Sequence, residues 1–113
     1  MQKLLKKLLI ASALVLFTTF AHAQCGIASW YGSESGSVTA SGAPFNPGGM
    51  TAAHRTLPFG TKVKVTYGEK SVTVTINDRG PYHGGRIIDL ASGAASKIGL
   101  KKHGTGKVCL EVK

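Results

Sequence analysis

Two runs of strict alternation constrain this chain more than any other feature. Lys62-Val63-Lys64-Val65 and Val72-Thr73-Val74-Thr75-Ile76 place apolar and polar side chains alternately, the pattern of strands with one buried and one wet face. They predict strands over residues 61–66 and 71–77. Tyr67-Gly68-Glu69-Lys70 lies between them as a turn, so the pair reads as a β-hairpin. Further short strands are predicted over 26–31, 86–90 and 107–112. Residues 91–100 are the one good helix candidate, with Ser92 as cap, Ala94, Ala95 and Ile98 facing inward, and Gly99 as the stop. Glycine-rich stretches at 32–49 and 80–85 separate these elements. Many short strands with a single helix point to a small barrel rather than a sandwich. At 113 residues the chain is too short for a TIM barrel, a dinucleotide-binding fold or a multi-domain enzyme. With 42% hydrophobic residues and 15 glycines it is neither a long disordered chain nor a coiled coil.

The first 23 residues read as a targeting segment. Lys3, Lys6 and Lys7 precede an apolar run from Leu8 to Phe20, and Ala21-His22-Ala23 supplies small residues at the −3 and −1 positions. That is the pattern of a secretory signal peptide. The run falls short of the ~20 residues that span a bilayer. Gln24 in front of Cys25 argues against a lipidation site. We expect cleavage after Ala23, a domain over residues 24–113, no stable membrane anchor after cleavage, and a monomer in the periplasm or outside the cell. That domain carries 11 basic and 5 acidic residues, a balance of +6.

Cys25 and Cys109 are the only cysteines. In an exported chain pairing is the default, and closing so long a loop contributes roughly 4 kcal/mol in the chain-entropy model. Two cysteines do not make a zinc site, and neither metal nor cofactor is expected.

Three segments look unlike ordinary strand or turn sequence. The first is Ala28-Ser29-Trp30-Tyr31-Gly32, followed by Thr39-Ala40-Ser41-Gly42. The second runs from Met50-Thr51-Ala52-Ala53-His54 through Arg55-Thr56-Leu57-Pro58-Phe59-Gly60. The third is Ile76-Asn77-Asp78-Arg79-Gly80-Pro81-Tyr82, continuing to Arg86-Ile87-Ile88-Asp89-Leu90. Together they resemble the rare lipoprotein A family, from Gly26 to Val112. The resemblance implies a mainly β fold, a six-stranded double-psi β-barrel with one short helix, related to expansins and barwin. It also implies a groove for wall glycan and a lytic transglycosylase activity on peptidoglycan.

Cleaving a glycosidic bond requires a proton on the leaving oxygen. In a lytic transglycosylase the sugar's own C6 hydroxyl then attacks, so one carboxyl can act as acid and afterwards as base. Only five acids are available: Glu34, Glu69, Asp78, Asp89 and Glu111. Asp78 is the candidate, placed where a strand stops before Arg79-Gly80-Pro81. The plainer reading of an Asp-Arg-Gly turn is a carboxylate accepting backbone N–H bonds and pairing with Arg79; the resemblance favours the acid. A proton donor needs desolvation or a second carboxylate nearby, and Asp89 is the acid placed to supply one. Asp89 also stands where a carboxylate would favour a helix N-terminus. His54, which the resemblance places in the groove, would bond Asp78 or substrate, or fix a loop through its ring nitrogens. Trp30 and Tyr31 are candidates to stack on sugar rings, and period two sends them to opposite faces, one to the core and one to the groove. Thr39, Ser41, Arg79 and Tyr82 complete the expected substrate contacts. His83 and His103 read as solvated.

Characterised transglycosylases of this family carry glutamate directly after the segment that is Thr39-Ala40-Ser41-Gly42 here, and often aspartate three residues later. This chain has Ala43 and Asn46 in those places. Glu34 is the one acid in the same loop region. A non-catalytic, expansin-like glycan-binding module and a barwin-like interaction protein therefore stand as alternatives. Arg55, Lys62, Lys64, Arg79, Arg86, Lys97, Lys101, Lys102 and Lys107 would meet wall carboxylates or serve as solvated strand faces. No nucleic-acid motif is present.

Overall fold

A computed structural model describes residues 23–113; the targeting segment read from the sequence lies almost wholly outside the described residues. Six strands form a closed barrel: β1 (Gln24–Tyr31), β2 (Thr51–His54), β3 (Lys62–Tyr67), β4 (Lys70–Asp78), β5 (Ile88–Ala91) and β6 (Gly106–Val112). Their order around the wall is β1-β5-β2-β4-β3-β6. The parallel pairs β1–β5 and β2–β4 cross an otherwise antiparallel barrel, the double-psi arrangement that the family resemblance implies. One short helix, α1 (Ser92–Lys97), and 3₁₀ turns at Ser33–Ser35 and Lys101–His103 complete the fold.

The β3–β4 hairpin follows the alternation directly. Val63, Val65, Val72, Val74 and Ile76 are buried, while Lys62, Lys70 and Thr73 point to water. Inward-facing Ala28, Ala52, Ile88, Leu90, Val108 and Leu110 fill the barrel with them. Each fully buried large aliphatic contributes on the order of 1.5–3 kcal/mol. Helix α1 lies against β1, β4 and β5. With Leu100 and half-buried Trp30, its Ala94, Ala95 and Ile98 pack onto the core.

Three details differ from expectation. Thr51–His54 is a strand, β2, although it shows no alternation; Ala52, Ala53 and His54 are all buried. The helix is shorter than residues 91–100, and its cap is Ala91, not Ser92, with no side-chain capping bond. Gly99 does sit just past its end in the left-handed region, at φ +82°, the conformation glycine adopts most readily. Strand β5 begins at Ile88, leaving Arg86 and Ile87 in the preceding loop.

Cys25 and Cys109 are disulfide-bonded. They stand opposite one another across the antiparallel β1–β6 seam, Cα atoms 4.0 Å apart. The bridge fastens the first strand to the last and closes the barrel covalently.

Candidate active site

The β-sheet register lays out the site. Asp89 on β5 pairs with Ser29 on β1 and with Ala53 on β2. Ala53 pairs in turn with Asp78 on β4, at an irregularity where the β2–β4 register shifts. Ser29, Asp89, Ala53 and Asp78 thus form one row across four neighbouring strands. With strands roughly 4.8 Å apart, the two aspartates are separated by about two strand spacings. The small Ala53 methyl lies between them. Tyr31, Ser35, Ala53, Asp78, Arg79 and Asp89 enclose a cleft of about 200 Å³.

Asp78 ends β4, and its carboxylate is divided between two environments. Oδ1 accepts the backbone N–H groups of Ala40 and Arg79, both at 2.9 Å. Oδ2 accepts the Tyr31 hydroxyl at 3.3 Å. The amides fix the carboxylate's orientation and leave Oδ2 as the oxygen shared with the phenol. Burial, and then the Asp78 carboxylate, hold the Tyr31 phenol well above its usual range, so this hydroxyl keeps its proton at neutral pH. Phe45 stacks on Tyr31 at 4.8 Å, with planes 9° apart, and fixes the ring.

Asp89 is held differently. Arg86 approaches its Oδ1 at 3.3 Å, and its side chain is only 19% exposed. The Ser29 hydroxyl donates to the same oxygen, while Arg86 also donates to Ser29 Oγ. The Arg86 Nε is tied to the His83 carbonyl at 3.1 Å. Asp89 is therefore engaged by a guanidinium and a hydroxyl; a bond to free helix amides is not among its contacts.

His54 does not reach Asp78. Its Nδ1 accepts the N–H groups of Thr56 and Leu57 at 3.1 and 3.2 Å, and its Nε2 lies 3.3 Å from Gln24 Oε1. An Nδ1 that accepts two amides carries no proton, so the ring is neutral with its proton on Nε2. Burial first, then the charges of Arg79 and Arg55, push its pKa below 6.5. Of the alternatives for His54, the loop-fixing one describes these contacts.

The remaining candidates separate. Arg79 lines the cleft, but its guanidinium donates to the His54 carbonyl at 3.1 Å and lies 4.0 Å over the Phe59 ring; it does not form an ion pair with Asp78. Thr39 is buried, its hydroxyl bonded to the Ala43 carbonyl and Ser41 Oγ, each at 2.9 Å. Ser41 ties this loop to β4 through its N–H on the Asn77 carbonyl. Tyr82 is 67% exposed and lies outside the cleft. Trp30 faces the other side of β1, away from the aspartates, as the alternation required of either Trp30 or Tyr31. Glu34 binds the Gly32 N–H through its carboxylate and does not line the cleft. Ser29, Phe45, Ala53 and Arg86 were not read as site residues. The signal for Ser29 was its place two residues before Tyr31, on the same strand face.

Comparison with known proteins gives consistent results. A family model described as lytic transglycolase matches residues 23–110. A Synechocystis sp. protein named as a probable endolytic peptidoglycan transglycosylase RlpA is 58% identical over 90 residues, 77% of this chain and 28% of its own length. The endolytic peptidoglycan transglycosylase RlpA of Vibrio cholerae is 50% identical over 92 residues, 79% of this chain and 35% of its own. This chain thus spans about a quarter to a third of the relatives it matches. Among solved structures, the Streptomyces papain inhibitor superposes with a TM-score of 0.67 at 20% identity, covering 80% of this chain and 94% of that one. That likeness concerns the fold.

Proposed function

Since this chain belongs to the lytic transglycolase family, we propose that it cuts peptidoglycan glycan strands without water, in the cleft between Asp78 and Asp89. One observation carries the reading: two carboxylates from strands flanking β2 open onto a single cleft floored by Ala53. The relatives' names supply the substrate class.

In this mechanism Asp78 acts through Oδ2 as the general acid, delivering a proton to the glycosidic oxygen. The C1–O bond breaks, and the next sugar leaves as an alcohol. Positive charge develops at C1, where the Asp89 side chain, fixed by Arg86 and Ser29, offers electrostatic stabilisation. The same sugar's C6 hydroxyl attacks C1, closing a 1,6-anhydro ring, and Asp78 Oδ2 takes the hydroxyl proton. The acid is restored and no water is consumed. Tyr31 steadies Oδ2 between the two transfers. Thr39, Ser41 and His54 are positioning residues that hold the loops around Asp78. Gln24 begins the mature chain after export through a cleaved leader, and the Cys25–Cys109 bridge fits an oxidising compartment.

A second reading, binding without cleavage, is favoured by Ala43 and Asn46, where characterised family members carry acids. Mass analysis of products from purified peptidoglycan separates the two. The expected result is anhydro-muropeptides from the wild type, reduced about 10²–10⁴-fold by Asp78→Asn. Wall binding with no release by either protein favours the second reading.

A further inference from the structure

The described residues also form a hollow roomier than the aspartate cleft. It lies on the other side of β1, holds about 520 Å³, and is bounded by Trp30, Lys70, Ser96, Gly99, Lys101 and Lys102. Successive residues of one strand thus face two different hollows: Tyr31 the acidic one, Trp30 this basic one. The three lysines are exposed, and none forms a salt bridge among the described residues. Glu69, beside Lys70, is not among the lining residues. Lys101 Nζ stands 5.2 Å from the Trp30 ring centroid, and the indole N–H donates to the Lys101 carbonyl at 3.2 Å. The indole is therefore clamped at its edge while one face carries a displaceable ammonium. Helix α1 ends here, but two amides cover its final turn: Gly99 N–H on the Ser96 carbonyl at 3.2 Å and Leu100 N–H on the Ala95 carbonyl at 2.9 Å. The helix's negative end is thereby capped, and lysine charge dominates the hollow.

We infer that this hollow is a second carbohydrate site, specific for an acidic sugar: a pyranose packs on the Trp30 indole and its carboxylate sits among Lys70, Lys101 and Lys102. An indole suits the apolar face of a sugar ring. Ammonium groups supply point charges without the planar fork of arginine, which suits a carboxylate on a rotatable arm. Entry of the ligand draws Lys101 from the ring face to the carboxylate and bares the indole. Two sources share this chemistry. Muramic acid residues of glycan stripped of stem peptides carry a free lactyl carboxylate, and uronic acids occur in acidic polysaccharides. The choice of muramic acid, though not the site itself, rests on the peptidoglycan reading above.

Trp30 is the only tryptophan, so its fluorescence reports this hollow directly. The disulfide-intact chain is titrated with N-acetylglucosaminyl-N-acetylmuramic acid, with a glucuronate–N-acetylglucosamine disaccharide, and with neutral chitobiose. The expected result is a saturable change in emission with an acidic disaccharide that weakens as salt rises. Binding should be about tenfold weaker for chitobiose and for Lys101→Gln/Lys102→Gln, the loss of two exposed ion pairs. A preference for the muramic compound supports the wall source; an equal or greater response to the glucuronate compound supports an acidic polysaccharide. The response persists in Asp78→Asn, which separates this site from the cleft and its chemistry. No emission change with either acidic disaccharide, equal affinity in the double lysine variant, or loss of the response in Asp78→Asn overturns the inference.

Discussion

At the scale of single residues, the cleft depends on what Ala53 lacks. A larger side chain there occupies the space between Asp78 and Asp89 while leaving the core face of β2, which carries Ala52, untouched. Ala53→Leu is expected to lower the release of anhydro products about 10²-fold by displacing substrate. Because Ala53 is buried, the variant's unfolding free energy should fall by about 1–3 kcal/mol in urea titration. His54 sets a pH dependence of stability. Its folded pKa lies below the 6.5 of the free side chain, so the unfolded chain takes up the proton first as pH falls. Stability is complete above about 6.5, declines as pH drops through that value and levels off below the folded pKa. Urea midpoints measured between pH 8 and 5 should show this decline, and His54→Gln should flatten it. Neither residue's role was fully legible from sequence. His54 Nδ1 accepts backbone N–H groups two and three residues onward, one of the alternatives that the sequence left open for this ring. The contact of Ser29 with Asp89 arises only when β1 and β5 pair, across 60 residues of chain, whereas Arg86 reaches Asp89 from three residues away.

At the scale of elements, legibility followed exposure. The β3–β4 hairpin has one wet face, so its alternation appears in the sequence. Strand β2 pairs on both sides and buries three consecutive residues, which erases the alternation; the sixth strand was implied by the family resemblance alone. The short helix depends on a contact with no sequence periodicity. The Gly93 N–H donates to the Pro47 carbonyl at 2.7 Å, and a methyl group at Gly93 would come within 2.4 Å of the Gly48 carbonyl oxygen. The first turn of α1 therefore sits directly on the long loop between β1 and β2. Gly93→Ala should destabilise the domain by about 1–3 kcal/mol, since backbone rather than a mobile side chain must give way. Chemical denaturation measures this, and hydrogen exchange should show the loss centred on α1 and residues 46–49.

At the scale of the whole molecule, two opposed charge fields share one small barrel: a cleft built on the aspartates of β4 and β5, and a lysine-rimmed hollow at the end of α1. The Cys25–Cys109 bridge holds the wall between them. Replacing both cysteines by serine removes a cross-link spanning 84 residues. It should lower stability by about 4–5 kcal/mol in the chain-entropy model, a large share of what a domain this size possesses, read as a lower urea midpoint. Strand β1 carries both rings, and a slip of one position turns every side chain of a strand over. The indole would then confront the carboxylates and the phenol the ammoniums. By locking Cys25 opposite Cys109, the covalent seam acts as a latch on that alignment. The bridge between the first and last strands thus does more than keep the barrel shut: it helps hold Trp30 and Tyr31 on their respective sides of the wall.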